Sequence, residues 1–398
     1  MIKNSDRVNQ LPGYPLAEIP AIKRRLLADG VDVIDMGAGD SDYPPPQPVI
    51  EALREALDDI RYHKYGFQQG LPEFRAACSA FVQQRFGHAF DPVKEVLPLI
   101  GSKEGLSHLP LAVCNPGDVV LVPEPGYQAY IGGALLSGCE PRVCGLRPEN
   151  DFLLDWDAIP ADVLDRTGVV YLNYPNNPTA AVAPLEYLEK SVAICRKHGI
   201  LLAYDNAYAD ITFDGYRAPS IFDVPGARDV AVEFLSLSKS YAMTGWRIGF
   251  AVGAAPLVGA LKAVKSYVDT GPFLAIQKAG VVALERSEEF VAPIRAELSR
   301  RRDAGVAALR AAGFELESPK AAMYLWVPLP AGVASQPFAS RAMLEHGAIV
   351  LPGAGFGPAG EGFFRVALTV SPERLVEGVE RLGRALAGHS GGELARAP

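Results

Sequence analysis

The chain has 398 residues, 49% hydrophobic and 21% charged, with a formal net charge of −8. This balance excludes a disordered chain. The acidic total disfavours nucleic acid as the main partner, because phosphate contacts need a basic face. No uninterrupted apolar run approaches the roughly 18 residues of a membrane-spanning helix, so no membrane partner is expected. The five cysteines are odd in number and form no CxxC pair, which argues against a disulfide framework. The opening Met1-Ile-Lys-Asn-Ser-Asp6 lacks the apolar stretch of a secretory signal, so a reducing cytoplasm is the expected compartment.

From about residue 95 to 280, short apolar runs alternate with helical patterns. The expected strands are Val96–Ile100, Val119–Val122, Val169–Asn173, Ile200–Tyr204, Val230–Leu235 and Ile248–Val252. They are rich in Val, Ile and Leu and lack period-two alternation, as strands buried on both faces do. Helical stretches such as Ser102–Val113 and Leu185–His198 fall between them. Such repetition predicts a mostly parallel sheet with helices on both sides and a ligand site beyond the carboxyl ends of its strands. After about residue 281 the pattern changes. A long charged helix from Glu285 to Ala312 is followed by Tyr324–Val327, a helix Ser335–Gly347, and strands Ile349–Leu351 and Phe363–Leu368. The expected division is an N-terminal arm (1–44), a large domain (45–280) and a smaller α+β domain (281–398) that the arm helps complete.

The segment Ser236-Leu-Ser-Lys-Ser-Tyr-Ala-Met-Thr-Gly-Trp-Arg247 carries the most chemistry. It gathers hydroxyls, a lysine and an arginine on a turn between two apolar runs. Hydroxyls and a guanidinium can hold a phosphate while an amine reaches an aldehyde. Gly101-Ser102-Lys103 opens a helix directly after a strand, where backbone N–H groups can receive an anion; taken alone, it is equally an ordinary helix start. Asp205 ends an apolar run, where a carboxylate is costly unless paired. The histidines show no metal-ligand spacing. Gly353-Ala-Gly-Phe-Gly357 is followed by a strand rather than the helix of a dinucleotide loop.

These motifs resemble the class I/II pyridoxal 5'-phosphate (PLP) aminotransferases of the aspartate aminotransferase superfamily, from about residue 14 to 370. The resemblance implies the fold-type-I α/β architecture and a homodimer with shared active sites. Lys239 then matches the lysine that bonds the cofactor and moves the substrate proton. Ser236, Ser238, Arg247, Ser102 and Lys103 match the phosphate cup, and Asp205 the partner of the pyridine nitrogen. Tyr208 and Asn177 match donors to the ring hydroxyl, Asn177 also a substrate-binding residue, and Tyr127, in Pro-Gly-Tyr-Gln-Ala-Tyr130, the aromatic stacked on the ring. Tyr65 matches a tyrosine reaching the neighbouring subunit's phosphate. Arg365 matches the grip on the substrate α-carboxylate, and Gly39 the backbone that closes over it.

Leu11-Pro-Gly-Tyr14, Val31–Met36 and Tyr208–Pro219 further resemble LL-diaminopimelate aminotransferases and their aspartate/alanine relatives. There Tyr14 matches a substrate contact. The sequence departs from the pattern at Ala180, where glycine is frequent, at Ser41, where proline is usual, and at Thr270, where an asparagine stands. Amino acids and 2-oxo acids are the substrates implied. A PLP-dependent C–S lyase on the same fold is the alternative, since it would share every cofactor residue.

Overall fold

The central apolar runs build one seven-stranded sheet. In this computed structural model, which describes residues 3–13, 18–67 and 69–388, its spatial order is Val96–Leu99, Gly249–Gly253, Ala231–Ser236, Leu201–Asp205, Thr167–Asn173, Val119–Glu124 and Glu140–Gly145. Only Gly249–Gly253 runs against its neighbours; the other adjacent strands are parallel. The register sets Asn173 beside Asp205 and Asp205 beside Phe234, two residues before Ser236. Three polar residues therefore meet at one edge of the sheet, where parallel strands end and following loops begin.

Both faces of the sheet are covered. Val120 and Val122 share one core with Leu106 and Leu109. Val119 and Leu121 belong to the opposite core with Leu188 and Val192. This two-sided burial explains the continuous apolar runs in the sequence. The strand Glu140–Gly145 escaped the sequence reading for the converse reason. It lies at the sheet edge and is largely exposed, so Glu-Pro-Arg-Val-Cys-Gly carries no apolar signal.

A second core lies against the first. Antiparallel strands Leu351–Pro352, Phe363–Ala367 and Tyr324–Pro328 form one small sheet, and Ile34–Asp35 pairs in parallel with Ala348–Ile349. Helices Ser287–Ala311, Ser335–His346 and Pro372–Ala387 pack there. Two expectations need correction. The charged helix does not begin at Glu285, because Arg286 leaves helical geometry (φ −114°, ψ 31°) and separates Leu274–Glu285 from Ser287–Ala311. The strand expected at Ile349–Leu351 is two short pieces divided at Val350, one in each small sheet. Among the described residues, no helix is long and apolar enough to cross a membrane.

A buried lysine fixes the helix that opens toward the polar edge. Lys265 Nζ lies 2.6 Å from Glu104 and 2.8 Å from Asp269, and its side chain is fully buried. Glu104 also accepts the N–H of Ile100, so the network holds the first turn of Ser102–Val113. Burial alone would raise the Glu104 pKa, but His108 and Lys265 outweigh it and hold the carboxyl below its ordinary 4.5. Lys265→Met strands two carboxylates and is expected to cost about 3–5 kcal/mol near pH 7, measured by denaturant unfolding. A depressed acid stabilises the fold above its unfolded pKa and loses that effect in acid. The difference between the two proteins should therefore shrink as pH falls through about 4.5. A constant difference would mean that lost packing, not charge, sets the cost.

Candidate active site

A cavity of about 480 Å³ opens at the polar edge, between the two cores. Lys239 lines it from a one-turn helix, Leu237–Ser240, whose preceding residue Ser236 accepts the N–H of Ser238. Ser236, Ser238 and Arg247 line the same wall, with Ser102 and Lys103 from the start of Ser102–Val113. Arg247 holds a left-handed backbone (φ 56°, ψ 57°), a sparsely populated state for a non-glycine residue that typically costs about 1–3 kcal/mol. Its guanidinium lies over Gly101, where an added Cβ would come 2.5 Å from Nη2. Gly101 itself sits at φ 68°, a left-handed backbone that favours glycine, and its missing side chain leaves room for the guanidinium. The result is a pocket wall of hydroxyls, two cationic side chains and a helix start, a donor set suited to a phosphate.

Asp205 stands elsewhere in the same cavity, only 4% exposed. Its Oδ2 accepts the Tyr130 hydroxyl at 2.8 Å. Its Oδ1 is buried and lacks a partner of good geometry. Burial pushes the carboxyl up to about 6, against the Tyr130 hydrogen bond and the nearby N–H of Ala207. An anion held this way calls for a cation or a strong donor from whatever fills the cavity. Tyr127 also lines the cavity, with the Lys103 ammonium 5.7 Å from its ring centre.

Arg365 closes the far side. It donates to Asn177 Oδ1 and to the Gly37 carbonyl, both at 2.7 Å, while its Nε has no partner. The rings of Tyr324 and Phe356 lie 4.1 and 4.9 Å from its guanidinium carbon. Lys239 Nζ donates to the Gly39 carbonyl at 2.5 Å. Ala180 adopts φ 59°, so the turn after Asn177 keeps the left-handed residue that glycine supplies more readily.

Tyr324 had no signal in the sequence beyond that of a core strand. Its hydroxyl lies 2.9 Å from that of Tyr208, in the cavity wall. Burial would raise its pKa, but the charges of Lys239 and Arg365 and the hydrogen bond with Tyr208 bring it below the ordinary 10. Tyr208 itself is raised, chiefly by burial. The cavity thus gathers Ser102, Lys103, Tyr127, Asn177, Asp205, Tyr208, Ser236, Ser238, Lys239, Arg247, Arg365 and Gly39. Tyr65 is 71% exposed and Thr270 is also exposed; neither lines it. Tyr14 lies outside the described residues. Larger clefts of about 660 and 950 Å³ lie elsewhere and contain none of these groups.

Comparisons with known proteins agree in kind. The family model for aminotransferase class I and II matches residues 31–382. The chain is 46% identical over 382 residues to the LL-diaminopimelate aminotransferase of Aquifex aeolicus, covering 96% of this chain and 99% of that one. A solved structure of a probable N-succinyldiaminopimelate aminotransferase from Thermus thermophilus superposes with a TM-score of 0.88 at 39% identity, covering 92% and 99%. An aspartate aminotransferase double mutant from Thermus thermophilus gives 0.89 at 31%, covering 97% and 100%.

The buried carboxylate has a measurable consequence. An acid whose folded pKa is raised binds protons more tightly in the folded state, so stability falls as pH rises from about 3.8 toward about 6. Asp205→Asn removes that penalty. The empty variant is expected to exceed the empty wild-type protein in stability at pH 7 by about 2–3 kcal/mol, with the advantage vanishing below about pH 4. Thermal unfolding across this range checks it, and an advantage that does not depend on pH would assign it to packing.

Proposed function

Because this chain belongs to the class I and II aminotransferases and is a transaminase, we propose that the cavity binds PLP and that LL-diaminopimelate, or aspartate or alanine, is the amino donor. The carrying observation is that Lys239, Asp205, the phosphate-suited wall and Arg365 share one cavity. The donor set fits the cofactor. The unpartnered Asp205 Oδ1 suits a protonated pyridine nitrogen, and the cup at Gly101 and Arg247 suits a phosphate. The reaction is a ping-pong exchange: one amino acid leaves as its 2-oxo acid before the acceptor 2-oxo acid enters.

PLP, when bound, supplies an aldehyde carbon and a pyridinium electron sink. Ser236, Ser238, Arg247, Ser102 and Lys103 would hold its phosphate, Tyr127 would stack on its ring, and Asn177 and Tyr208 would donate to its ring hydroxyl. Asp205 would keep the ring nitrogen cationic. The planar fork of Arg365 would take the substrate α-carboxylate at two oxygens, which a lysine cannot do. Lys239 would take the proton from the substrate Cα and return one during the second half of the exchange. Tyr324 and the Gly39 backbone would crowd the same side and exclude water.

The active unit is a homodimer in this reading, with Tyr65 of each chain reaching the neighbour's phosphate. The exposure of Tyr65, Phe67, Tyr267 and Phe273 supports an apolar contact there. The catalytic cup belongs to a large domain of residues 45–280, while 281–398 and the arm 1–44 form the smaller one. A cytoplasmic location is consistent with five free cysteines. None of the relatives compared above is named as a C–S lyase.

The direct test is a panel of donors assayed with 2-oxoglutarate and pyruvate. Amine transfer supports the proposal; pyruvate and ammonia release from cystathionine without transfer would favour the lyase. Lys239→Ala should bind PLP but fail to retain it after borohydride reduction and denaturation, and covalent retention in that variant would move the reactive amine elsewhere. Mixing inactive Tyr65→Phe and Lys239→Ala subunits should restore part of the activity. No recovery under demonstrated subunit exchange would assign Tyr65 to its own chain. Arg365→Lys should raise KM for every donor roughly tenfold or more without reordering them. Thr270→Asn, Tyr14 and the loop at Gly39 should instead govern preference, with Thr270→Asn raising kcat/KM for LL-diaminopimelate. If Arg365→Lys reorders the donors and Thr270→Asn does not, this division of roles is wrong.

A further inference from the structure

Tyr130 ends the motif that carries Tyr127 and was given no role in the sequence, yet it makes the direct side-chain contact with Asp205. We propose that Tyr130 is a positioning residue: its hydroxyl locks the rotamer of Asp205 and leaves Oδ1, which no side chain engages, in the wall of the cavity for a ring nitrogen. The inference rests on the reading that PLP occupies that cavity.

The geometry supports this in three ways. The hydroxyl donates to Oδ2 at 2.8 Å and is buried with its partner, so water cannot replace it. The ring is itself held, stacked on Tyr171 at 4.5 Å and 16° and edge-on to Tyr127 at 5.8 Å and 86°. Tyr171 in turn donates to the Leu106 carbonyl, within the helix that begins at the phosphate-suited wall. The acid, the stacking ring and the cup are thereby tied through one aromatic pair. Burial, and then the Asp205 charge, push the Tyr130 phenol well above its ordinary pKa, so it stays a donor throughout the working range. An acceptor-only carboxylate facing a permanent donor has one oxygen spoken for.

The pH consequence follows from the groups around Asp205. Tyr127 and Tyr130 approach from one segment and Tyr208 from the turn after the strand. Lys103, Arg247, Lys239, Arg365, Asp40 and Tyr324 stand around the same cavity, and no histidine lines it. Of these, only Tyr130 has a hydrogen bond to the carboxylate. Removing that donor makes the buried anion harder to form. A protonated Asp205 can no longer pair with a cationic ring nitrogen, so affinity falls in acid and does so from a higher pH.

The test uses pyridoxamine 5'-phosphate, which cannot bond Lys239, titrated calorimetrically into the cofactor-free dimer from about pH 5 to about pH 8.5. The proteins are wild type, Tyr130→Phe, Asp205→Asn and the double variant. In Tyr130→Phe the acid limb of affinity should move up by roughly one pH unit, a tenfold loss near pH 6 that fades at higher pH. In the Asp205→Asn background, Tyr130→Phe should change affinity less than twofold. An unmoved limb, or a loss of equal size at every pH and in both backgrounds, overturns the inference and leaves Tyr130 a packing residue. Wild-type affinity in Asp205→Asn would instead sink the cofactor reading itself, a result separate from the fate of Tyr130. Should Tyr130→Phe fold poorly, site-specific 3-fluorotyrosine at position 130 is a stronger donor of nearly the same shape. It should move the limb downward, and no movement again overturns the inference.

Discussion

A carboxylate buried at the end of a parallel strand, with one oxygen unpaired, is the constraint around which this site is built. The Tyr130 hydrogen bond to one oxygen and the nearby N–H of Ala207 favour the charged form of Asp205 against burial, while its Oδ1 has no side-chain partner. Burial raises its pKa to about 6, so the carboxylate is an anion close to neutralisation. The fold tolerates this because the strand around it is fully buried and paired on both sides. On the proposed reading, a cationic ligand in the cavity would offset the local cost of burying this carboxylate.

The same logic separates what could be read from the sequence from what could not. Lys239, Arg247, Ser236 and Ser238 lie within twelve residues, a concentration of donors beside an amine that suits a phosphate and stands out in the sequence. Asp205 was legible because it ends an apolar run, where a carboxylate needs a reason, whereas Asn177 and Arg365 were marked only by the family resemblance. Tyr130 and Tyr324 carried no such signal. A tyrosine in an apolar helix or strand is ordinary core, and only the fold shows its hydroxyl 2.8 Å from a buried acid or 2.9 Å from a second phenol.

Architecture divided along similar lines. Doubly buried strands announce themselves by composition, whereas Glu140–Gly145 gains its strand geometry from the neighbour Val119–Glu124 and not from its own residues. The break at Arg286 has no glycine or proline to mark it. It separates two helices that belong to different cores, Leu274–Glu285 against the large sheet and most of Ser287–Ala311 against the small one. Tertiary partners decided both features, and no local pattern could stand in for them.

The segment after Ile34–Asp35 is held by its backbone within the smaller core and touches the large one at Lys239. Three consecutive carbonyls of the segment after Ile34–Asp35 are each taken by a different part of the molecule. Gly37 binds Arg365, Ala38 binds Thr369 and Gly39 binds Lys239. Asp35 accepts the N–H groups of Gly37 and Ala38 and pairs with Lys23 at 2.7 Å, which anchors the segment from the opposite side. Lys239 and Arg365 are the two groups that a cofactor and a carboxylate would claim. On the proposed reading, ligands would compete with the Gly39 and Gly37 carbonyls for these two groups, and neither the Asp35 anchor nor the Thr369 bond involves them. Glycine at 39 is explained by this arrangement rather than by its backbone angles, because a Cβ there would meet the Tyr324 hydroxyl at 2.6 Å. The segment can lie close to both the amine and the guanidinium only while that position carries no side chain.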